Sequence, residues 1–366
     1  MMEFRDLKIQ YSALKKEIDS AVLNVLASGQ YIGGSEVKEL ERELAEYVGV
    51  KHCITCANGT DALTISLTAL GVGKDDIVLV PDFTFFASGE SVAYVGAIPV
   101  FVDVDEKTYN ICPHKIEETI IKLQSKGYGS QIKAIMAVDL FGLPANYLKI
   151  QKIADKYGLL IIEDAAQGFG GSINGQKACG FGDIATTSFF PAKPLGCYGD
   201  GGAIFTNNDE YAAFIRSYVV HGKNGEDKYD NIRIGVNSRL DTIQAAILRV
   251  KLRAFNNYEL DAVNNIAKNY NHELKDKGYQ LPYIPRGYIS SFAQYTIKLD
   301  SKKQRDTLKK EYEANGIPTM IYYAKAMSRQ GAFKNSLIEL DCFMGSQNLC
   351  DTVLSLPINL YARAYD

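Results

Sequence analysis

The chain has 366 residues, of which 46% are hydrophobic and 23% charged, and its formal net charge is −3. This composition is typical of a soluble globular protein, and the length predicts one large and one smaller domain. Without a basic excess or a Lys/Arg block, we expect neither nucleic acid nor a membrane surface as a partner. The N-terminal "MMEFRDLKIQ" lacks the apolar core of a signal peptide, and no apolar run is long enough to span a membrane, so we expect a cytoplasmic protein.

The first fifty residues predict two helices, because apolar residues recur at helical spacing in 12–29 and 35–50 and glycine follows each pattern. From Lys51 onward, short apolar strands alternate with amphipathic helices. The predicted strands are 52–56, 76–80, 98–104, 132–140, 159–164, 183–190 and 201–207, and the helices between them include 60–71, 86–96, 147–158 and 209–222. This alternation predicts an α/β fold with a mostly parallel sheet covered by helices on both faces.

Residues 238–278 form a long helical pattern that we interpret as the link between two domains. A looser pattern follows, with a strand around 293–300 and a helix at 302–316. The sequence therefore predicts a large α/β domain at 1–250 and a small α+β domain at 251–366.

Seven cysteines are scattered along the chain, and an odd count without regular spacing argues against a disulfide framework. Cys53 and Cys56 form a C-x-x-C pair, but no second pair or histidine cluster completes a metal site. We expect reduced, buried thiols and no metal, with a redox or metal role as the alternative.

Polar segments follow three of the predicted strands, at the sheet edge where open parallel sheets bind ligands. The first, "CANGTDAL", places Gly59 and Thr60 between a strand and a helix start, where backbone N–H groups and the helix dipole favour a phosphate. The alternative is a simple capping turn with Thr60 or Asp61 as the cap.

The second segment, "LLIIEDAAQ", ends an apolar strand with Glu163 and Asp164. A half-buried carboxylate needs a cationic partner, and the protonated ring nitrogen of a cofactor would be one. The alternative for Asp164 is a helix cap or a structural ion pair. Gln167, one turn further on, could reach a neighbouring cofactor oxygen.

The third segment, "SFFPAKPLGCYGDGG", brings Lys193 to the end of a buried strand among prolines and small residues. A lysine kept from water has a lowered pKa and can act as an amine nucleophile. Ser188, five residues earlier, offers a hydroxyl for a phosphate. A lysine that bonds the cofactor, an aspartate for its ring nitrogen and a helix start for its phosphate are what pyridoxal 5′-phosphate requires.

With these motifs the chain resembles the DegT/DnrJ/EryC1/StrS family of nucleotide-sugar aminotransferases, which have the aspartate-aminotransferase-like fold (fold type I). The resemblance extends from "FRDLKIQY" to about Pro357. Its motifs are "QYIGGSEVKELE", "CANGTDAL", "PDFTFFAS", "GAIPVFVDVD", "EDAAQ", "SFFPAKPLGCYGDGGA", "GVNSRLDTIQAAIL" and "SLPI".

The resemblance implies a role for each residue that matches a family motif. Lys193 matches the lysine that bonds pyridoxal 5′-phosphate, Asp164 the partner of its ring nitrogen and Gln167 the residue near its phenolic oxygen. The phosphate contacts match Gly59, Thr60 and Ser188.

Roles for four further positions come from the same resemblance. Phe85 matches the aromatic residue that stacks on the cofactor ring, with core packing as the alternative. Asn237 matches an asparagine that reaches the phosphate in the neighbouring subunit, which implies a homodimer with shared sites. Arg239 would hold a substrate carboxylate or form an interface salt bridge. For His221 we favour a structural or interface role.

Within the family, the chain resembles the branch that aminates C3 of UDP-linked sugars, including the 3-keto uronic acid transaminases of surface-polysaccharide pathways. It departs from that branch in "YYAKAMSRQ", where Tyr322 replaces a histidine and two prolines are missing, near the sugar pocket. The roles of Tyr322, expected to contact substrate, and Lys325 therefore stay open, as does the exact sugar.

The implied reaction transfers an amino group from glutamate to a nucleotide-linked keto-sugar. Two alternatives are a cofactor-dependent sugar dehydratase, which typically has histidine in place of the lysine, and a non-catalytic binding protein on the same fold.

Overall fold

The computed structural model describes most of the chain, namely residues 3–225, 229–334, 338 and 343–361. Two helices, α1 (Leu7–Ser28) and α2 (Ser35–Val48), precede the sheet. The Asp6 carboxylate caps α1 by accepting hydrogen bonds from the first backbone N–H groups of the helix. Both helices end at a glycine in the left-handed conformation, as the sequence predicted.

The strands in chain order are β1 (His52–Cys56), β2 (Ile77–Pro81), β3 (Ile98–Val102), β4 (Ile132–Val138), β5 (Leu160–Asp164), β6 (Ser172–Ile173), β7 (Gln176–Lys177), β8 (Ile184–Ser188), β9 (Gly202–Thr206), β10 (Tyr288–Ile289), β11 (Tyr295–Lys298) and β12 (Val353–Leu356). Seven of them form the main sheet in the order β1-β9-β8-β5-β4-β2-β3. Neighbours pair in parallel except that β9 is antiparallel to both β1 and β8. The predicted mostly parallel sheet is confirmed.

The remaining helices are α3 (Gly59–Ala69), α4 (Phe86–Tyr94), α5 (Pro113–Ser125), α6 (Tyr147–Tyr157), α7 (Asp209–Tyr218), α8 (Thr242–Ala254), α9 (Leu260–Leu274), α10 (Lys302–Ala314) and α11 (Met344–Thr352).

Helices cover both faces of the sheet because the side chains of each strand alternate between two buried clusters. In β2, Leu79 belongs to the cluster that includes Ile116 of α5 and Ile150 of α6. Its neighbour Val80 belongs to a second cluster, with residues of α3 and α4. Parallel strands buried on both faces read as continuous apolar runs, which is the pattern seen in the sequence.

The long helical pattern after residue 238 forms α8 and α9, joined without a break by a π-helical turn at Phe255–Glu259. Beyond it, β11 and β12 pair antiparallel and pack with α9 around the fully buried Tyr295. The boundary predicted at residue 250 falls inside α8, and the division into two domains stays a prediction.

Cys53 and Cys56 are buried in β1, and burial raises the pKa of both thiols above the ordinary value. This environment disfavours the reactive thiolate. Among the described residues there is no group of three or more His, Cys, Asp or Glu side chains that could hold a metal ion. In the same part of the chain, no helix is long and apolar enough to cross a membrane.

The packing of α2 against the sheet gives a stability prediction. Leu44 is fully buried in a cluster with residues of α8 and the sheet. Leu44→Ala is expected to lower the free energy of unfolding by about 2–5 kcal/mol, because it removes buried apolar surface and leaves a cavity. Urea denaturation measures the loss, and Leu148→Ala on α6 is the control because Leu148 is 58% exposed. Equal losses in the two variants would contradict this packing.

Candidate active site

The turn between β1 and α3 is built for close packing against the end of β8. Asn58 is the N-cap of α3, and its Oδ1 accepts a hydrogen bond of 2.8 Å from the backbone N–H of Asp61. The alternative in which Thr60 or Asp61 is the cap is therefore wrong, and Gly59 and Thr60 are the first two residues of the helix. A Cβ atom on Gly59 would lie only 2.7 Å from the Ser188 Cβ, so the helix start and Ser188 are brought together as predicted.

Asp164 ends β5 and is 4% exposed. Its Oδ2 accepts a hydrogen bond from the Ser88 hydroxyl at 2.8 Å, and its Oδ1 accepts one from the Ala166 N–H at 3.2 Å. Burial raises the pKa of Asp164, while these two hydrogen bonds and the positive charge of Lys193 lower it. No lysine or arginine in the described ranges lies within salt-bridge distance of Asp164, so the structural ion pair is not found there. The carboxylate can accept a hydrogen bond from one more donor.

Lys193 lies in the turn that follows β8, where its N–H donates to the Phe190 carbonyl at 2.8 Å. Its side chain is partly buried. Burial lowers the pKa of Lys193, the charge of Arg5 lowers it further, and the carboxylate of Asp164 opposes both effects. A lowered pKa increases the fraction of neutral amine near neutral pH, which is the nucleophilic form.

Gln167 is fixed by hydrogen bonds at both ends of its amide. Its Oε1 accepts from the Phe141 N–H at 2.8 Å, and its Nε2 donates to the hydroxyl of Tyr323 at 3.0 Å. The Phe85 ring lies 6.1 Å from the Tyr323 ring and is 54% exposed, so Phe85 borders the site and is not packed in the core.

Tyr323 is a site residue that sequence reasoning missed. It contacts Gln167 and Phe85, and the negative charge of Asp164 also reaches its hydroxyl. Burial raises the pKa of Tyr323, so its hydroxyl keeps its proton. Its position directly after Tyr322 was the only available signal, because the contact to Gln167 joins residues 156 positions apart.

Glu163 and Asp139 form a pair of buried carboxyl groups behind Asp164. Glu163 accepts hydrogen bonds from the N–H groups of Cys179 and Phe181, at 2.8 and 2.7 Å, so its role is structural. Asp139 Oδ2 is also buried and receives no donor among the described residues. Burial, and the negative charge of Asp139, raise the pKa of Glu163.

Asn237 and Arg239 lie beside the start of α3, outside the cluster around Lys193. Between them, the buried Ser238 hydroxyl donates to Asp61 Oδ2 at 2.6 Å and accepts from the Ala57 N–H at 3.0 Å. Asn237 is exposed and Arg239 partly buried. This anchoring holds Asn237 and Arg239 at the outer surface near the turn between β1 and α3, and their roles in a site stay a prediction.

The structure also locates His221 and residues 322–330, the segment in which the chain departs from the related branch. His221 is exposed, has a positive φ of 67°, and its carbonyl accepts from the Asn231 side chain at 2.8 Å, as suits the structural role that we favour. Tyr322 is partly buried, with its ring 6.1 Å from Phe4. Lys325 is exposed.

The fold is that of an aminotransferase. The structure superposes with a TM-score of 0.95 on the crystal structure of a DegT DnrJ EryC1 StrS aminotransferase from Brucella abortus, at 47% identity and covering 99% of this chain and 95% of that one. It also matches NtdA from Bacillus subtilis, solved with bound cofactor PMP, with a TM-score of 0.84 at 29% identity, covering 95% and 78% of the two chains.

The sequence comparisons agree. The DegT/DnrJ/EryC1/StrS aminotransferase family matches residues 12–362. The UDP-2-acetamido-2-deoxy-3-oxo-D-glucuronate aminotransferase of Pseudomonas aeruginosa is 46% identical over 361 residues, which cover 99% of this chain and 96% of that enzyme. This chain therefore belongs to the DegT/DnrJ/EryC1/StrS aminotransferase family.

The carboxyl pair behind Asp164 gives a pH prediction. Burial raises the pKa of Asp139, so the folded protein keeps a proton there that the unfolded chain has already lost. Wild-type stability therefore falls as pH rises from the ordinary carboxyl range towards the raised pKa. The asparagine in Asp139→Asn does not titrate, so the stability of this variant relative to wild type should increase with pH across this range.

Urea denaturation of both proteins at several pH values across this range measures the difference. Asp155→Asn, at an exposed position on α6, is the matched control and should show no such trend. A difference between Asp139→Asn and wild type that does not change with pH would show that the pair holds no extra proton.

Proposed function

We propose that this protein is a pyridoxal 5′-phosphate-dependent aminotransferase that transfers an amino group from glutamate to the keto group of a nucleotide-linked sugar. The acceptor carbon is C3 of a UDP- or dTDP-sugar used for surface-polysaccharide synthesis in the cytoplasm. The observation that carries the proposal is the convergence of Lys193, Asp164 and the Gly59–Ser188 contact at one edge of the sheet. The near full-length similarity to an aminotransferase that acts on a UDP-linked 3-oxo sugar supports the substrate class.

The residues present fit pyridoxal 5′-phosphate. The start of α3 offers N–H groups and a favourable dipole for the phosphate, beside the Ser188 hydroxyl. A side chain on Gly59 would collide with Ser188, which indicates that backbone must come close at this point. Asp164 is a buried carboxylate without a cationic hydrogen-bond partner among the described residues, and a protonated ring nitrogen would supply one.

When bound, this cofactor withdraws electrons from the carbon that carries the amino group. Lys193 would hold the cofactor through Nζ until the amino donor takes its place in that bond, and the freed Nζ amine would then move the proton at that carbon, for which a lowered pKa is suitable. Asp164 would stay ionised beside the ring nitrogen and keep that nitrogen protonated. Ser88 and Ala166 orient that carboxylate through their hydrogen bonds to it. The hydrogen bond from the Phe141 N–H fixes the amide of Gln167.

The borders of the site would select the substrate. Phe85 presents an exposed ring next to Tyr323, which suits stacking on a planar group. Tyr322 takes the histidine position of the related branch and would contact the sugar, while Arg239 would bind a carboxylate. The exposed Lys325 is within the same segment.

We also propose a homodimer in which Asn237 and Arg239 serve the neighbouring site. Large apolar side chains are exposed in the preceding loop, with Ile234 at 93% and Ile232 at 54% exposed. Such residues are expected to be covered by another subunit. In a two-fold interface each subunit gives and receives the same loop, so both sites would be completed at once.

The proposed reaction can be tested in reverse. Purified protein loaded with pyridoxal 5′-phosphate is supplied with 2-oxoglutarate and candidate 3-amino-sugar nucleotides, and glutamate formation is measured. We expect glutamate from at least one UDP- or dTDP-linked amino sugar and none with Lys193→Ala. Lys149→Ala, at an exposed lysine on α6, should keep wild-type activity.

Borohydride treatment of the loaded protein gives a second readout in this test, because it makes the bond between lysine and cofactor permanent. The modified peptide should contain Lys193. A label on another lysine would refute the assignment of Lys193, and the absence of glutamate with every amino-sugar nucleotide would refute the substrate class.

Shared active sites predict complementation between inactive chains. Lys193→Ala and the double variant Asn237→Ala/Arg239→Ala are each expected to be inactive as homodimers. In a mixed dimer one site contains both lesions, whereas the other has an intact lysine and an intact donated loop. Glutamate formation should therefore return to as much as half of the wild-type rate per mixed dimer.

Two affinity tags, one on each chain, identify the mixed dimer by sequential purification. If the purified mixed dimer is inactive, Asn237 and Arg239 act within their own subunit, next to Ser238 and the start of α3.

A further inference from the structure

Arg5, just before α1, is a partly buried cation that neither the fold nor the proposed function explains. Its Nη1 atom is buried and has no hydrogen-bond partner among the residues that the structure describes. In that same part of the chain, no carboxylate lies within salt-bridge distance of the guanidinium. A buried donor of a charged group is costly to leave unpaired, so the unpaired Nη1 atom of this partly buried guanidinium indicates a place for an anion.

Glu259, the carboxylate that acts on Arg5, does not pair with its guanidinium. Glu259 attracts Arg5 electrostatically, but its Oε1 already accepts hydrogen bonds from the Gln10 amide at 2.9 Å and from the Tyr361 hydroxyl. Burial lowers the pKa of Arg5 to about 10, with Glu259 and Tyr322 opposing the shift, so the group stays charged at neutral pH.

Other cations lie close to Arg5. Its charge lowers the pKa of both Lys193 and the buried Lys251. For Lys251, burial is the larger cause, and its pKa falls to about 8. Three basic side chains therefore share this region of the protein, where the carboxylates that act on them are those of Glu259 and Asp164, so an added anion would meet three cations and two carboxylates.

Arg5 also borders the catalytic site. It lines a pocket together with Pro194, the residue after Lys193, and with Ser291, whose hydroxyl donates to the Gln167 carbonyl at 2.7 Å. Its neighbour Phe4 packs edge-on against Tyr322, at the segment where this chain departs from its branch of the family. The N-terminal segment is thus positioned to contact whatever occupies the Lys193 site.

We propose that Arg5 binds the carboxylate of a substrate beside Lys193 and makes this site selective for acidic substrates. The inference rests on the proposed aminotransferase function, in which glutamate and 2-oxoglutarate bring carboxylates to Lys193 and a sugar acid would bring another. A guanidinium can pair with both oxygens of a carboxylate, which gives affinity and fixes orientation.

The test uses the cofactor-loaded protein and three variants: Arg5→Met, Arg5→Lys and Arg42→Met. The last is the control, because Arg42 is an exposed arginine on α2 with surface ion pairs. Calorimetry measures the binding of glutarate, a dicarboxylate with no keto or amino group to react, and of uridine diphosphate. We expect Arg5→Met to weaken glutarate binding roughly tenfold or more, Arg5→Lys to weaken it less, and Arg42→Met to leave it unchanged.

Thermal unfolding of the ligand-free variants separates binding from a structural role. Removing a partly buried charge that has no partner should leave the Tm of Arg5→Met equal to or above that of wild type. Lost glutarate affinity without a loss in Tm supports the proposal, and unchanged glutarate affinity overturns it. If Arg5→Met does not fold, Arg5→Lys decides, since weaker glutarate binding at unchanged uridine diphosphate affinity supports the proposal and unchanged binding of both overturns it.

Kinetics then identify which carboxylate Arg5 binds. A raised KM for glutamate in Arg5→Met indicates the amino donor, whereas a lower kcat/KM for a uronic acid nucleotide but not for its neutral counterpart indicates the sugar. Glutarate binding requires no turnover, so its outcome stands even if no nucleotide sugar is aminated, a result that would refute the proposed function alone.

Discussion

The site depends on one constraint. An acidic group, Asp164, and a basic group, Lys193, are both kept from water at the same sheet edge, with no salt bridge between them. Burial raises the pKa of Asp164 and lowers that of Lys193, so the protein environment disfavours the charged form of each. A cationic ring beside Asp164 and a covalent bond to Lys193 would remove both penalties. Binding of the proposed cofactor would therefore offset the free-energy cost of keeping these groups from water.

The surrounding packing keeps this arrangement rigid. Gly59 lets α3 approach Ser188, and Gly168 lets the segment after β5 lie against Asp139, whose Oδ2 would be 2.3 Å from an added Cβ. Glu163 is held by two backbone N–H groups, and burial and the charge of Asp139 raise its pKa. These contacts hold Asp164 in place, and the groups that make them take no part in the proposed chemistry.

Much of the fold and part of the site could be predicted. Alternating apolar strands and amphipathic helices predicted the sheet, and polar residues after β1, β5 and β8 predicted its functional edge. Family resemblance then assigned Lys193 and Asp164. The pairing of β9 against β1 and β8 could not be predicted, because strand order depends on contacts between distant segments. For the same reason Tyr323 and Arg5 were missed, since both meet the site only through long-range contacts.

Side-chain type and the local strand–turn–helix pattern are properties of neighbouring residues, so the amino-acid sequence was enough to identify the residues that can do the chemistry. The glycines after α1 and α2 likewise predicted where these helices end, whereas the start of α1 after Asp6 was not predicted. Which buried groups stay without a partner and which charges act on Lys193 could be learned only from the folded chain. Those properties depend on burial and on distances between residues far apart in the chain, and neither exists before the chain has folded.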